Sequence, residues 1–88
     1  MTYKVDITPE GLRHLNKLPE KVRVAVMEAI FGTIAEDPRR AGRPMVGELK
    51  GLYSARRGDF RVIYDIDERR HIVVVHRAAH RRTAYRAH

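Results

Sequence analysis

The chain of 88 residues contains no cysteine. Disulfides, zinc–thiolate sites and thiol catalysis are therefore excluded. Long apolar runs are missing too. No apolar run is longer than the four residues of Ile72 to Val75, far short of the roughly 20 residues that cross a bilayer. The opening Met1 to Asp6 is polar and lacks the apolar segment of a signal peptide. A soluble, cytoplasmic protein without membrane contact is expected. Glycines are few and scattered, and Gly42, Gly47, Gly51 and Gly58 match no phosphate-binding loop. There is no internal repeat. Length is short as well: 88 residues read as one domain over 1–88, enough for one sheet packed on one or two helices. That excludes dinucleotide enzymes, kinases and barrels. A binding module, a small regulator or a very small nuclease remains.

Acidic side chains are the other shortage. Lys+Arg number 18 against 11 Asp+Glu, for a net charge of +7. Residues 1–44 carry 8 basic and 6 acidic side chains, residues 45–88 carry 10 and 5, and no acid follows Glu68. A concentrated basic region is the footprint of a phosphate-rich partner. Arginines outnumber lysines 14 to 4, and a guanidinium can grip a phosphate with two parallel hydrogen bonds.

Hydrophobic periodicity supplies the elements. Tyr3, Val5 and Ile7 alternate with Lys4 and Asp6, which predicts a strand. Thr8-Pro9 is a helix start, with Thr as cap and Pro at the first helical position. Leu12 and Leu15 share a face of that helix, and Leu18-Pro19 ends it. Val22, Val26, Ala29, Ile30 and Ile34 predict a second helix from Glu20 to Glu36, stopped by Asp37-Pro38. Residues 39–51 read as a loop. Strands follow at Leu52 to Arg57, Phe60 to Ile66 and His71 to Arg77, the last two joined by a polar turn at Asp67 to Arg70. The order β-α-α-β-β-β predicts an α+β fold: a small twisted, mostly antiparallel sheet with the N-terminal helical hairpin packed on one face. The opposite face is expected to be open or covered by a partner. The tail from Ala78 to His88 has only Ala84 and Tyr85 as late apolar contacts and is expected to add little to the core.

Two clusters could carry chemistry. Along Phe60 to Ile66, alternation sets Phe60, Val62, Tyr64 and Ile66 toward the helices and Arg61, Ile63 and Asp65 away from them. Arg56 and Arg57 lie one strand away, and Arg77 and Arg81 on the other side. Guanidiniums converging on one sheet face repel one another unless an anion sits among them. The second cluster is the stretch His76 to Arg86, which combines His, Arg and Tyr. Metal-free RNA cleavage needs a base for the 2′-hydroxyl proton, cations for the phosphorane charge and an acid for the leaving oxygen. Imidazole suits proton transfer, Arg supplies fixed charge, and Tyr can stack on a base. No metal or cofactor is expected. His76 and His80 are four apart, but His76 ends a strand and no carboxylate completes a site. His14 and His88 read as solvent-facing.

The stretch Gly47-Glu48-Leu49-Lys50-Gly51-Leu52-Tyr53-Ser54-Ala55-Arg56-Arg57-Gly58-Asp59-Phe60-Arg61-Val62-Ile63-Tyr64 strongly resembles the RelE/ParE superfamily of bacterial toxins. The closing His80-Arg81-Arg82-Thr83-Ala84-Tyr85-Arg86 resembles that superfamily's ending. The similarity spans nearly the whole chain and is strongest to the RelE branch. It implies a RelE-like fold and a type II toxin that cleaves mRNA in the ribosomal A site by 2′-hydroxyl attack, inhibiting translation. It also implies a RelB-like antitoxin as partner, with operator DNA met only through the antitoxin complex. By position, the resemblance implies that Arg61 holds the scissile phosphate. Arg81 stabilises charge or helps protonate the leaving group, and Tyr85 stacks on a base. Arg56 stands on the strand where the best-known members place a catalytic lysine. Those members carry two lysines there, whereas this chain has Ser54 and Arg56. Arginine stays protonated and is a poor proton acceptor, which leaves His80 as the substitute base. Arg57, Arg77, Arg82, Arg86 and Lys50 are expected to contact the RNA.

Three functions are compatible with these features: a ribosome-dependent endoribonuclease, a DNA gyrase inhibitor of the ParE kind, or a non-catalytic basic module that binds RNA or the ribosome. The Arg/His/Tyr set favours the first.

Overall fold

The computed structural model describes residues 2–86. Strand β1 (Lys4–Ile7) leads into helix α1 (Pro9–Lys17). The Thr8 hydroxyl accepts from the Gly11 amide at 3.0 Å, and Pro9 takes a first-turn position that needs no donor. Leu18 is extended, as a residue before proline must be. Helix α2 (Glu20–Ala29) follows and continues through a π-helical turn, Ile30–Ile34, to Glu36. The hairpin of α1 and α2 packs on one face of the sheet.

That sheet has five strands in the order β1-β5-β4-β3-β2. β3 (Tyr53–Arg57), β4 (Phe60–Asp67) and β5 (Ile72–His80) form an antiparallel meander. β1 pairs with β5 in parallel, Lys4 opposite Ile72 and Ile7 opposite Val75. Leu15, Val26, Ile30 and Ile34 of the helices meet Ala55, Val62, Tyr64, Val73, Val75 and Ala78 of the strands, all buried. Each large aliphatic side chain buried in this layer contributes about 1.5–3 kcal/mol. The alternation along β4 is as the pattern predicts: Phe60, Val62, Tyr64 and Ile66 join this core.

Three features depart from the expected elements. First, the stretch read as a loop holds a short helix α3 (Pro38–Ala41) and a two-residue strand β2 (Arg43–Pro44) on the edge of β3. Pro38 is buried and its carbonyl accepts the Tyr64 hydroxyl at 2.6 Å. Burial, together with Tyr53 and Asp37 nearby, pushes the Tyr64 phenol above its ordinary pKa. Gly42 turns the chain from α3 into β2 where the Tyr64 hydroxyl and Ser54 carbonyl leave no room for a Cβ. A strand of two residues has no period to detect. Second, β5 runs on to His80. A bulge opposite Ile63/Tyr64 leaves His76 unpaired with β4, so Val75 and Ala78 both reach the core. β5 outruns β1, and α1 takes over its free edge. The Thr8 amide donates to the Val75 carbonyl, and His14 Nδ1 accepts from the Ala78 amide at 3.4 Å. His14 is thus half-buried rather than solvent-facing; His88 lies outside the described residues. Third, the tail folds back on the sheet instead of trailing from it, and Ala84 is fully buried.

The far end of the sheet is braced by polar contacts. Glu68 accepts from Tyr3 at 2.7 Å and from Arg39 at 2.6 Å, and these two donors hold its carboxyl below the usual range. Arg39 also donates to the Tyr53 hydroxyl.

Candidate functional site

Register decides which side chains share a face. Arg56 stands directly opposite Arg61, and Arg61 opposite Ala79. Two residues further on, on the same face, Ser54, Ile63 and Arg77 are aligned. These rows lie on the face away from the helices. Two cations directly opposed in neighbouring strands destabilise a sheet, so the Arg56–Arg61 pair calls for a compensating anion.

Arg61 is only 8% exposed. Its Nη1 donates to the Gly58 carbonyl at 3.0 Å and the Phe60 carbonyl at 2.9 Å. Those bonds tie the side chain to the β3–β4 turn, which Gly58 makes possible with φ at 60°. Two carbonyls occupy one nitrogen, and the other guanidinium N–H groups have no protein acceptor among the described residues. The Arg81 amide donates to the Asp59 carbonyl at 2.8 Å, which brings the start of the tail to the same turn with the Arg81 side chain exposed.

The tail then crosses the helix-free face. The Tyr85 hydroxyl lies 2.9 Å from Ser54 Oγ, and Arg77 Nη1 donates to the Ala84 carbonyl at 3.1 Å and the Arg86 carbonyl at 2.7 Å. Ser54 and Arg77 flank Ile63 across the sheet, so Ala84 is drawn down over Ile63. Both are fully buried, apart from the main core. Arg77, expected as an RNA contact, is taken up by this clamp and by an ion pair with Glu10 at 3.7 Å.

Beside the tail lies a groove of about 490 Å³ walled by Arg40, Gly42, Arg43, Ser54, Arg56 and Tyr85. No carboxylate lines it. Arg40 and Arg43 were not among the residues singled out from sequence. Their signal was the Arg39-Arg40-x-x-Arg43 cluster after Pro38, hidden because the stretch read as a loop. The structure therefore brings together Arg56, Arg61, Arg81 and Tyr85, and adds Arg40 and Arg43.

His80 and Arg57 do not join them. His80 pairs with Phe60, which pairs in turn with Arg57, a row on the helix side of the sheet. The His80 ring meets Phe60 edge to face at 5.4 Å. Its Nδ1 accepts from the Arg82 amide at 3.2 Å, so the neutral ring carries its hydrogen on Nε2 and offers a donor there rather than a base. Arg57 Nε reaches the Ala25 carbonyl of α2 at 3.3 Å. Lys50 is exposed beyond the 3-10 turn Gly47–Leu49, at the opposite end of β3 from the β3–β4 turn. Arg82 and Arg86 are exposed. Among the described residues no group of three His, Asp or Glu side chains is placed to hold a metal ion, and no helix is long and apolar enough to cross a membrane.

Fold and site together define a class: a small, basic α+β protein with opposed arginines and a tail tyrosine on the helix-free face of its sheet. Comparison with known proteins gives that class its family. The chain belongs to the family of ParE toxins of type II toxin–antitoxin systems, parDE, whose profile matches residues 5–85. It is 45% identical over 84 residues to Toxin RelE of Mycobacterium tuberculosis, covering 96% of this chain and 87% of that one. It is 43% identical over 86 residues to Toxin RelG of the same organism, covering 98% and 99%. Among solved structures it superposes on the toxin–antitoxin complex RelBE2 from M. tuberculosis with a TM-score of 0.87 and 41% identity, covering 91% of this chain and 99% of that one. Within the superfamily the chain is a RelE-like toxin.

Proposed function

We propose that this toxin is a metal-independent endoribonuclease that cuts mRNA in the A site of the ribosome. The observation that carries the reading is the opposed pair Arg56–Arg61, with Arg56 and Tyr85 lining a groove that has no acid in its walls. In the reaction the 2′-hydroxyl gives its proton to water as its oxygen bonds to the adjacent phosphorus, and the P–O5′ bond breaks with O5′ taking up a proton. The products are a 2′,3′-cyclic phosphate and a 5′-hydroxyl end. Arg61 holds the scissile phosphate, its direction set by the two turn carbonyls. Arg56 and Arg81 hold the charge that grows on the phosphorane. Such fixed donors are worth about 10²–10³ in rate each.

Guanidinium takes up no proton at neutral pH, and His80 faces the other side of the sheet. Among the described residues the hydroxyl pair beside the arginines is Ser54–Tyr85, which supplies a proton to the leaving O5′ or stacks the Tyr85 ring on a base. A site with strong charge stabilisation and weak proton acceptance depends on geometry. The ribosome aligns the 2′-hydroxyl for in-line attack, and orientation alone can lower a barrier by several kcal/mol.

The relatives named Toxin RelE and Toxin RelG, and the structure of a RelBE2 complex, support a RelB-like antitoxin as the partner in the cell, with operator DNA met only through that complex. The net charge of +7 suits an acidic segment. The family profile carries the ParE name, so gyrase inhibition is the competing activity. Purified toxin is added to ribosomes programmed with a defined mRNA, with EDTA present and absent, and separately to a gyrase supercoiling reaction. Cleavage within the A-site codon, insensitive to EDTA and absent on free RNA, is expected, with supercoiling unaffected. Blocked supercoiling without cleavage overturns the reading.

A further inference from the structure

A second groove lies on the helix side of the sheet, where the end of α1 meets the end of β5. It encloses about 490 Å³ among Lys17, Pro19, Phe60, His80 and Arg86, with Thr83 at its lip. We propose that this groove is a second RNA subsite, which takes a nucleotide flanking the one held at Arg61. The inference rests on the endoribonuclease reading.

The chemistry of the walls favours a nucleotide over a peptide. No carboxylate lines the groove. Lys17 and Arg86 have no side-chain partner among the described residues. His80 Nδ1 is already an acceptor for the Arg82 amide, so its Nε2 is a further donor. Thr83 gives its hydroxyl hydrogen to the His80 carbonyl. The cations and the imidazole therefore present donors, while the Thr83 oxygen keeps lone pairs to accept. A peptide backbone brings as many donors as acceptors, and its N–H groups would outnumber the acceptors that the side chains of this rim offer. A phosphodiester brings acceptors only. Between the cations, Phe60 and Pro19 form an apolar wall on which a base can lie, as aromatic walls do in single-strand binding sites.

Continuity with the first site is built into the strands. Phe60 and Arg61 are consecutive in β4, and Arg81 directly follows His80, the last residue of β5. Because neighbours in a strand face opposite sides, Phe60 and Arg61 straddle the sheet, and Arg81 opens the turn that follows His80. The Arg81 amide closes the rim by bonding to Asp59. A strand held by Arg61 on one face needs only to pass over this rim, beside exposed Arg81, to set its next nucleotide against Phe60. The path gives His80, Phe60, Lys17 and Arg86 a joint role that the helix-free face leaves unassigned.

The test uses the full chain and a short, fluorescein-labelled 2′-O-methyl RNA, which cannot be cleaved. Binding is followed by anisotropy across a KCl series. The double variant Lys17→Glu/Arg86→Glu changes two exposed side chains and should melt like wild type. Its affinity should fall at least about 10-fold. The slope of log K against log salt should shrink by about 1.4, from two lost contacts at ~0.7 each. Phe60→Leu should weaken binding about 5-fold or more with the slope unchanged, since stacking carries no counterion release. A folded double variant with wild-type affinity and slope overturns the inference. So does a double variant that binds RNA normally but escapes neutralisation by a RelB-like antitoxin, which would make the groove a protein site. Cleavage on programmed ribosomes is measured alongside. If wild type cleaves and the double variant is indistinguishable from it in both assays, only the second subsite falls. If wild type fails to cleave while RNA binding still depends on Lys17 and Arg86, the nuclease reading falls and the subsite stands.

Discussion

Ile63 offers a direct measure of how the tail is held. It points away from the helices, yet its side chain is fully buried, and the returning tail is held at Ser54 and Arg77 on either side of it. In the full chain Ile63→Ala leaves a cavity and should cost about 2–4 kcal/mol. In a chain ending at His80 the same position becomes an exposed site on a sheet face. There the substitution should cost only about 1 kcal/mol, the span of strand propensity. The coupling between the two changes is therefore about 1–3 kcal/mol. The truncation by itself should be milder than the contacts suggest. It removes the Arg77 clamp and the burial of Ala84, but it also relieves an ordering cost of about 1–2 kcal/mol for each tail residue. Urea unfolding of the four proteins, with a common m-value, measures the cycle. A coupling below about 0.5 kcal/mol would mean that the tail does not cover Ile63, and the geometry assigned to Tyr85 and Ser54 would fall with it.

Arg61→Ala should lower single-turnover cleavage on programmed ribosomes about 10²–10³-fold. It should also reduce stability by about 1–3 kcal/mol, since a charged donor to two carbonyls is lost; full activity in a folded variant would place the phosphate elsewhere. Tyr64 should make the protein sensitive to alkali. Its folded-state pKa is raised, so its contribution is intact below the ordinary tyrosine value of about 10 and is lost as pH rises from there toward the folded value. A urea midpoint that falls above about pH 10 in wild type, and falls less steeply in Tyr64→Phe, checks this. Gly42→Ala should destabilise by more than about 2 kcal/mol, because the new Cβ meets the Tyr64 hydroxyl and the Ser54 backbone at the corner into β2. A melting temperature within a degree or two of wild type would refute that close packing.

Much of the molecule was legible in the order of its residues. Thr8-Pro9, Leu18-Pro19 and Asp37-Pro38 punctuate the helices through local backbone chemistry, which needs no distant partner. The alternation Phe60-Val62-Tyr64-Ile66 names the core face of β4, because a strand facing a packed layer has to repeat every second residue. The basic excess after Pro44 and the absence of acid after Glu68 point to a phosphate-rich partner whatever the fold. The motif from Gly47 to Tyr64 points to the toxin superfamily.

What periodicity could not supply was register. Whether Arg56 faces Arg61, and whether His80 stands with them or behind them, depends on how three strands are aligned. One residue of slip exchanges the faces. The bulge at His76 is such a slip, and it carries no signature in the sequence. The alignment it sets in β5 puts His80 in a row with Phe60 and Arg57 on the helix side, away from the arginines. Arg40 and Arg43 join the site only because a two-residue strand docks on β3, an element too short to have a period. The tail reads as a frayed basic end until Arg77, nine residues upstream in the chain from Arg86, clamps its carbonyls over Ile63. Composition and pattern determined the charge this protein carries and most of the elements it forms. Pairing between distant segments decided which side chains meet at each face, because that choice is made by packing and hydrogen bonds between strands and not along them.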